Sequence, residues 1–299
     1  MTSYAVVLPC GLILGRMNYV VRDWWATTPE GVKINALEWR AEQSHAKRSL
    51  VMVPGGTGNA WAGEVLGHTA IRGLLNARSV VALSRRGMGL SDAPSAGYTP
   101  SHFADDLEAI ASVAKPEPYV LFGHSMGVPI VLEYALRKPK GMTALVLGDA
   151  LAAYLDFAAA GTFNTFLEEG ALEFASWDDA FDRIGRGDRW RFDRAAHRVL
   201  RQDETGRVHA LIDHGALEHM VEESRAATKT YWARLGDIDV PVVLLLGASG
   251  QSPLTQEQLA QYREALPSLQ ILQLPGGHDL GLDGNVGPLC DALNMVLSR

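Results

Sequence analysis

The chain has 299 residues, long enough to bury a large core as one α/β domain or as two smaller ones. Its 47% apolar and 20% charged residues describe a globular protein, and a net charge of −7 argues against general nucleic-acid binding, which needs a basic face. Cys10 and Cys290 stand near opposite ends, so a disulfide framework is not expected; both read as buried apolar filler in a reducing compartment.

Tyr4 to Leu14 is apolar, but no Lys or Arg precedes it, no clean small-residue cleavage site follows, and it falls far below the roughly 20 residues of a membrane span. It reads as a docking arm or lid contact within residues 1–17, and a cytoplasmic protein without a membrane partner is expected. Val20 to Thr27 and Val32 to Glu38 flank the turn Thr28-Pro29-Glu30-Gly31, which predicts an antiparallel hairpin. Leu50 to Val53 is a short buried strand that ends in the loop Pro54-Gly55-Gly56-Thr57-Gly58-Asn59. Ser79 to Leu83 follows, ending in Ser84-Arg85-Arg86-Gly87-Met88-Gly89-Leu90-Ser91-Asp92. Thr99 and Pro100 are an N-cap and first-turn pair for a helix that reaches about Ala114.

Tyr119 to Phe122 is the next buried strand, and Val128 to Arg137 carries helical spacing. Between them lies Gly123-His124-Ser125-Met126-Gly127. A serine between two glycines at a strand-to-helix junction fits a sharp turn that lifts its hydroxyl out of the backbone, with a helix N-terminus behind it to favour developing negative charge. Strand Ala144 to Leu147 ends at Gly148-Asp149. From about Leu151 to Gly236 only helical periodicity is evident, without a convincing strand, so this stretch reads as a helical insertion over the C-terminal edge of the sheet. The alternation resumes with strand Val242 to Leu246, a capping-box helix from Thr255, strand Leu269 to Leu274, the loop Pro275-Gly276-Gly277-His278 and a last helix from Val286 to Leu297. Alternating strands and helices predict a mostly parallel sheet covered on both faces.

A serine hydroxyl is a weak nucleophile at neutral pH and needs a base, an orienter for that base, and donors for the oxyanion. Of the nine histidines, His278 alone follows both the serine and a terminal strand, and the glycine pair before it lets its loop pass close. His124 beside the serine reads as structural. Arg183, Arg186, Arg189, Arg191, Arg194, Arg198 and Arg201 interleave with Asp178, Asp179, Asp182, Asp188 and Asp193; a solvated face of mixed ion pairs is the plain reading, and a grip on a substrate anion the sharper one. Phe163, Phe166, Phe174, Phe181, Trp177 and Trp190 supply apolar packing for the insertion or for a pocket that would favour an aromatic or apolar small molecule. No metal-ligand spacing is present, and no Lys-Ser/Thr follows the glycine loop to make a nucleotide-binding loop.

The elbow Gly123 to Gly127, the loop Arg86-Gly87-Met88-Gly89-Leu90-Ser91-Asp92 and the order of strands, helices and insertion together resemble the α/β-hydrolase superfamily over nearly the whole chain. The resemblance implies an eight-stranded, mostly parallel core formed by residues 1–150 and 237–299, a helical cap at 151–236, and hydrolysis of a carboxylic ester, lactone or thioester without metal or organic cofactor. It implies Ser125 as nucleophile and His278 as base. It also implies oxyanion donors at the backbone N–H groups of Gly56, with Thr57 as next choice, and Met126. Arg86 and Ser91 are implied to be structural. The family usually carries His-Gly where Pro54-Gly55 stands here. It also usually places an acid after the strand Val242 to Leu246, where Gly247-Ala248-Ser249-Gly250-Gln251-Ser252-Pro253 has none; Glu257 falls inside the helix and Asp279 adjoins the histidine.

Some relatives draw the acid from the preceding strand end, where Asp149 stands, either orienting His278 or bonding nearby loop N–H groups. Ser249 or Ser252 would orient only a neutral imidazole. A chain lacking the acid would suit a lyase, a cyclase, a cofactor-free oxygenase or a ligand-binding receptor. The sequence does not choose between a monomer and a homodimer.

Overall fold

The computed structural model describes residues 19–41, 44–56, 58–72, 74–150, 173–184, 189, 200–211, 213–227, 231–248, 252, 254–282 and 285–299. The apolar segment Tyr4 to Leu14, with Cys10, lies outside the described residues. The hairpin expected from the turn at Thr28 to Gly31 is present: β1 (Tyr19–Thr27) pairs antiparallel with β2 (Lys33–Ala41). There follow β3 (Ser49–Val53), β4 (Ser79–Ser84), β5 (Tyr119–His124) and β6 (Met142–Gly148). The insertion holds β7 (Glu173–Phe174), β8 (Leu200–Gln202) and β9 (Val208–Ala210), and the core resumes with β10 (Val242–Leu246) and β11 (Gln270–Gln273). The main sheet has eight strands in the order β1-β2-β4-β3-β5-β6-β10-β11; β2 joins β4 antiparallel, and every pairing from β4 to β11 is parallel. The mostly parallel α/β sheet read from the sequence is thus the observed one.

Period-two alternation distributes the central strands between two cores. In β3, Val51 and Val53 face one buried cluster, while Leu50 and Met52 face the other. The first cluster packs under helices Pro100–Ala114 and Val128–Leu136 through Phe103, Leu107, Ile130 and Leu132. The second packs under helices Glu64–Ile71 and Gly287–Leu297 through Leu66, Leu289, Leu293 and Val296. Burial on both faces rigidifies the strand ends, and six parallel strands deliver their following loops to one edge. Thr99 caps its helix through its hydroxyl with Pro100 in the first turn, and Thr255 with Gln258 closes the expected capping box. Cys290 is buried and free, as apolar filler would be.

The insertion differs from the strand-free expectation. Its described residues include a three-stranded antiparallel sheet in the order β7-β9-β8, beside helices Trp177–Ile184 and His214–Ala227. Strands of two or three residues are too short to show a period of two, which is why sequence patterning misses them. Phe174, Ala180, Leu200 and Val208 form their small core, with Trp177 and Phe181 packed against it. The insertion meets the main body at the loop after β4: Gly89 donates to the Leu211 carbonyl, Asp213 N–H donates to the Gly87 carbonyl, and Glu223 accepts from the N–H groups of Gly97 and Tyr98.

Candidate active site

At the end of β5 the chain turns through Ser125 into the helix Val128–Leu136. Ser125 has φ +50°, a left-handed conformation that costs a residue with a side chain about 1–3 kcal/mol and persists only where the surroundings over-determine it. The surroundings do so here. A Cβ on Gly123 would lie 2.5 Å from Val131 Cγ2, and one on Gly127 would lie 2.3 Å from the Val53 carbonyl oxygen. The glycines of Gly-x-Ser-x-Gly are therefore required because the turn is packed against its own helix and against β3.

His278 reaches Ser125 from the loop after β11. Its Nε2 lies 2.8 Å from Ser125 Oγ, and its Nδ1 lies 2.9 Å from Asp149 Oδ2. A carboxylate accepts only, so Nδ1 carries the proton, and in the neutral ring Nε2 is free to accept from the serine hydroxyl. Asp149 and Ser125 are both buried, and the His278 side chain that joins them is 35% exposed. Asp149 also has φ +50°, a conformation that Asp tolerates better than most residues, and this turn off the end of β6 sends its carboxylate under the neighbouring strand. There Oδ1 accepts the Gly247 N–H at 3.1 Å. Asp149 thus bonds the imidazole of His278 with one oxygen and a loop N–H with the other.

The loop after β10, where the resemblance leads one to look for an acid, is packed against the loop that carries His278. A Cβ on Gly247 would lie 2.7 Å from the Gly277 carbonyl oxygen, and Ala248 N–H donates to the Gly276 carbonyl at 2.7 Å. Glu257 is exposed in the first turn of helix Gln256–Ala265, Asp279 is exposed, and Ser252 Oγ accepts from Leu254 N–H. Ser249 lies outside the described residues.

The glycine loop after β3 passes directly against the serine: a Cβ on Gly55 would lie 2.5 Å from Ser125 Cβ. The Gly55 carbonyl accepts Gly58 N–H at 2.8 Å, and Gly56 N–H, across the same trans peptide, points the opposite way. Thr57 is outside the described residues, and Met126 is buried immediately after the serine. Arg85, which sequence reasoning passed over, donates from Nη2 to the Gly56 carbonyl and places Nη1 3.9 Å from Met220 Sδ of the insertion. Its only sequence signal is a charged residue doubled at the end of an apolar strand. Arg86 is structural as expected: it bonds Asp106, at 2.7 Å from Nη2, and the Gly97 and His102 carbonyls. Ser91 Oγ donates to the Ser84 carbonyl and accepts Asn35 N–H, tying loop to hairpin.

In the insertion, Arg189 pairs with Asp178 at 2.8 Å and lies over the Phe181 ring, and Arg183 lies over Phe174 and 3.8 Å from Asp179. These pairs fit the solvated-face reading, and Arg201 is exposed. Arg186, Arg191, Arg194, Arg198, Asp188, Asp193, Phe163, Phe166 and Trp190 lie outside the described residues.

His124 is buried beneath the turn, and its Nε2 donates to the His278 carbonyl at 2.8 Å. Burial holds its imidazole below the ordinary histidine value of 6.5, opposed by the hydrogen bond to His278; His278 adds a further lowering, and Asp279 and Asp149 a raising. The folded chain therefore binds a proton at His124 less readily than the unfolded chain. The stability contributed by this group is complete above pH 6.5 and is lost as pH falls below it, about 1.4 kcal/mol for each tenfold weakening of proton affinity. Denaturant melts across pH 7.5 to 5 are expected to show a steeper acid loss for the parent chain than for His124→Gln, and equal slopes would refute this.

Three comparisons place these features among known proteins. The family model described as "Alpha/beta hydrolase family" matches residues 50–285. A 2-(acetamidomethylene)succinate hydrolase of Mesorhizobium japonicum is 23% identical over 202 residues, covering 66% of this chain and 70% of the relative. The crystal structure of E-2-(acetamidomethylene)succinate hydrolase superposes with a TM-score of 0.72 at 20% identity, over 93% of this chain and 98% of that one. The thioesterase domain from the curacin biosynthetic pathway gives a TM-score of 0.68 at 18% identity, over 93% and 99%. With the family model matched from β3 to beyond His278, and the sheet order and elbow in place, this chain belongs to the alpha/beta hydrolase family.

Proposed function

We propose that this chain is a serine hydrolase that cleaves a carboxylic ester, lactone or thioester of a small molecule through an acyl-enzyme. The observation that carries the reading is the single line of hydrogen bonds from Ser125 Oγ through both nitrogens of His278 to buried Asp149. Ser125 Oγ attacks the carbonyl carbon as its proton passes to His278 Nε2. The imidazolium so formed faces Asp149, whose charge stabilises it, and the same proton then goes to the departing oxygen or sulfur. Water next attacks the acyl carbon, giving its proton to His278, and the acid leaves with Ser125 restored.

The developing oxyanion is taken by Gly56 N–H, directed away from its own turn, and by Met126 N–H at the head of the helix; each such donor is worth about 3–4 kcal/mol. Residues 151–236 serve as the cap. A cavity of about 390 Å³ lies among the β1–β2 hairpin, the loops after β3 and β4 and the insertion, lined in part by Val21, Leu37, Asn59, Ser84, Trp177 and Leu200; Ser125, Gly56, Met126 and His278 are not in its lining, so it is not assigned to the acyl group. Among the described residues no helix is long and apolar enough to cross a membrane.

The bond from His278 Nδ1 to Asp149 Oδ2 supports hydrolysis over the lyase, cyclase, oxygenase and receptor readings that a chain lacking the acid would suit. The names of the relatives, hydrolases of an acetamido-bearing succinate and of a thioester, support hydrolysis and add an amide to the substrates worth trying. A fluorophosphonate probe is expected to label Ser125 stoichiometrically, read by peptide mass spectrometry, and p-nitrophenyl acyl esters to turn over. An unlabelled folded protein would overturn the reading.

A further inference from the structure

The imidazole of His278 has to hold two partners at once, 2.8 Å on one side and 2.9 Å on the other, while standing on a loop with little intrinsic stiffness. Pro275 is followed by Gly276 and Gly277; Gly276 has φ +108°, and the segment after the histidine turns again with positive φ at Leu280 and Gly281. Main-chain bonds brace this loop on either side of the histidine: Gly276 carbonyl to Ala248 N–H, Gly277 carbonyl to Leu280 N–H, and Asp279 carbonyl to Leu282 N–H. At the peptide of His278 itself the brace is a side chain. Its carbonyl accepts the Nε2–H of His124, from 154 positions earlier in the chain.

His124 is well placed for such a task. It is the last residue of β5, adjacent to Ser125, so the donor and the nucleophile ride on the same rigid strand end. It is buried, its ring centroid lies 5.2 Å from that of His278, and its Nδ1 edge borders Gly55, so the ring is hemmed in by the glycine loop as well. A carbonyl can only accept, so the bond requires the proton on Nε2.

We infer that His124 is a positioning residue for catalysis, fixing the main chain of His278 to the strand that carries Ser125 so that base and nucleophile keep a constant separation. The inference rests on the proposed roles of Ser125 and His278. Loss of the anchor lets the Gly276-Gly277 segment relax, and a displacement of about 1 Å between reacting groups costs on the order of 10²-fold in rate. Substrate binding, which does not depend on the His278 main chain, is left nearly intact.

Two variants separate anchoring from packing. His124→Phe keeps a ring of similar shape and loses the donor; His124→Gln loses the ring and keeps an N–H at similar reach. With p-nitrophenyl butyrate, His124→Phe is expected to lower kcat about 10- to 100-fold with KM within about twofold, and His124→Gln to recover to within about threefold of the parent. A packing role predicts the reverse order, since Phe fills the site and Gln does not. Parent-like kcat in His124→Phe, or failure of His124→Gln to recover in a protein with parent-like thermal unfolding, would overturn the inference.

The downfield proton resonance of His278 Nδ1–H provides a second readout that needs no turnover. It is expected to be sharp in the parent and in His124→Gln and broadened by exchange in His124→Phe; an unchanged resonance in His124→Phe counts against anchoring. Failure of the parent to react with fluorophosphonate would instead strike at the serine-hydrolase reading, and the resonance would still decide the anchor.

Discussion

Ser125→Ala is expected to lower kcat by about 10⁶-fold and to abolish fluorophosphonate labelling, while KM for residual turnover and the thermal midpoint change little. The size follows from the arrangement. Ser125 Oγ is the atom held 2.8 Å from His278 Nε2, and Ala leaves the imidazole with nothing to deprotonate. The structural cost is small because the position already demands φ +50° whatever side chain it bears, and the substitution removes a single oxygen. What remains is binding and any oxyanion stabilisation from Gly56 and Met126, sufficient for about 10³- to 10⁴-fold over water in triads of this geometry. Stopped-assay kinetics at high enzyme concentration, with intact-mass checks for contaminating parent protein, measure the residue. A variant retaining more than about one per cent of parental kcat would show that Ser125 is not the nucleophile.

Much of this arrangement was legible in the sequence, because the signals lie in steric and periodic rules. Gly123 and Gly127 announce the elbow since no Cβ fits beside Val131 or the Val53 carbonyl, and that requirement is local. Thr99, Pro100, Thr255 and Gln258 announce helix starts through orphan N–H groups, again a local need. His278 stands out by its place after a terminal strand, and the structure brings it within hydrogen-bond distance of Ser125. Asp149 is harder to place, since its evidence is not local: it reaches His278 by a left-handed turn at the end of β6, and Gly247 packs against the loop that carries His278. Arg85 and His124 escaped a functional reading for a related reason. Each acts on a backbone carbonyl distant in sequence, Gly56 or His278, and backbone carbonyls leave no mark on a residue pattern. The three short strands of the insertion escaped because two or three residues carry no period.

For Asp149→Asn the expected loss is about 10⁴-fold in kcat, with folding essentially unimpaired. The argument turns on which atom faces which donor. Asp149 offers two acceptors, Oδ1 to Gly247 N–H at 3.1 Å and Oδ2 to His278 Nδ1–H at 2.9 Å. Asn has one oxygen. Gly247 N–H belongs to buried backbone and would be left without an acceptor otherwise, so it claims the oxygen, and the amide NH₂ turns to His278. An amide donor demands an unprotonated Nδ1, which moves the imidazole proton to Nε2, the side that faces Ser125. The serine hydroxyl then meets a donor where it needs a base. Asn adopts positive φ at least as readily as Asp, so the turn at φ +50° survives, and a loss of rate in a protein of parental stability isolates the chemistry from the fold. Imidazole ¹⁵N shifts read the tautomer directly and are expected to show Nε2 protonated in the variant and Nδ1 protonated in the parent. A fall in kcat of less than about tenfold, with the parental tautomer retained, would leave Asp149 as a bond to Gly247 alone.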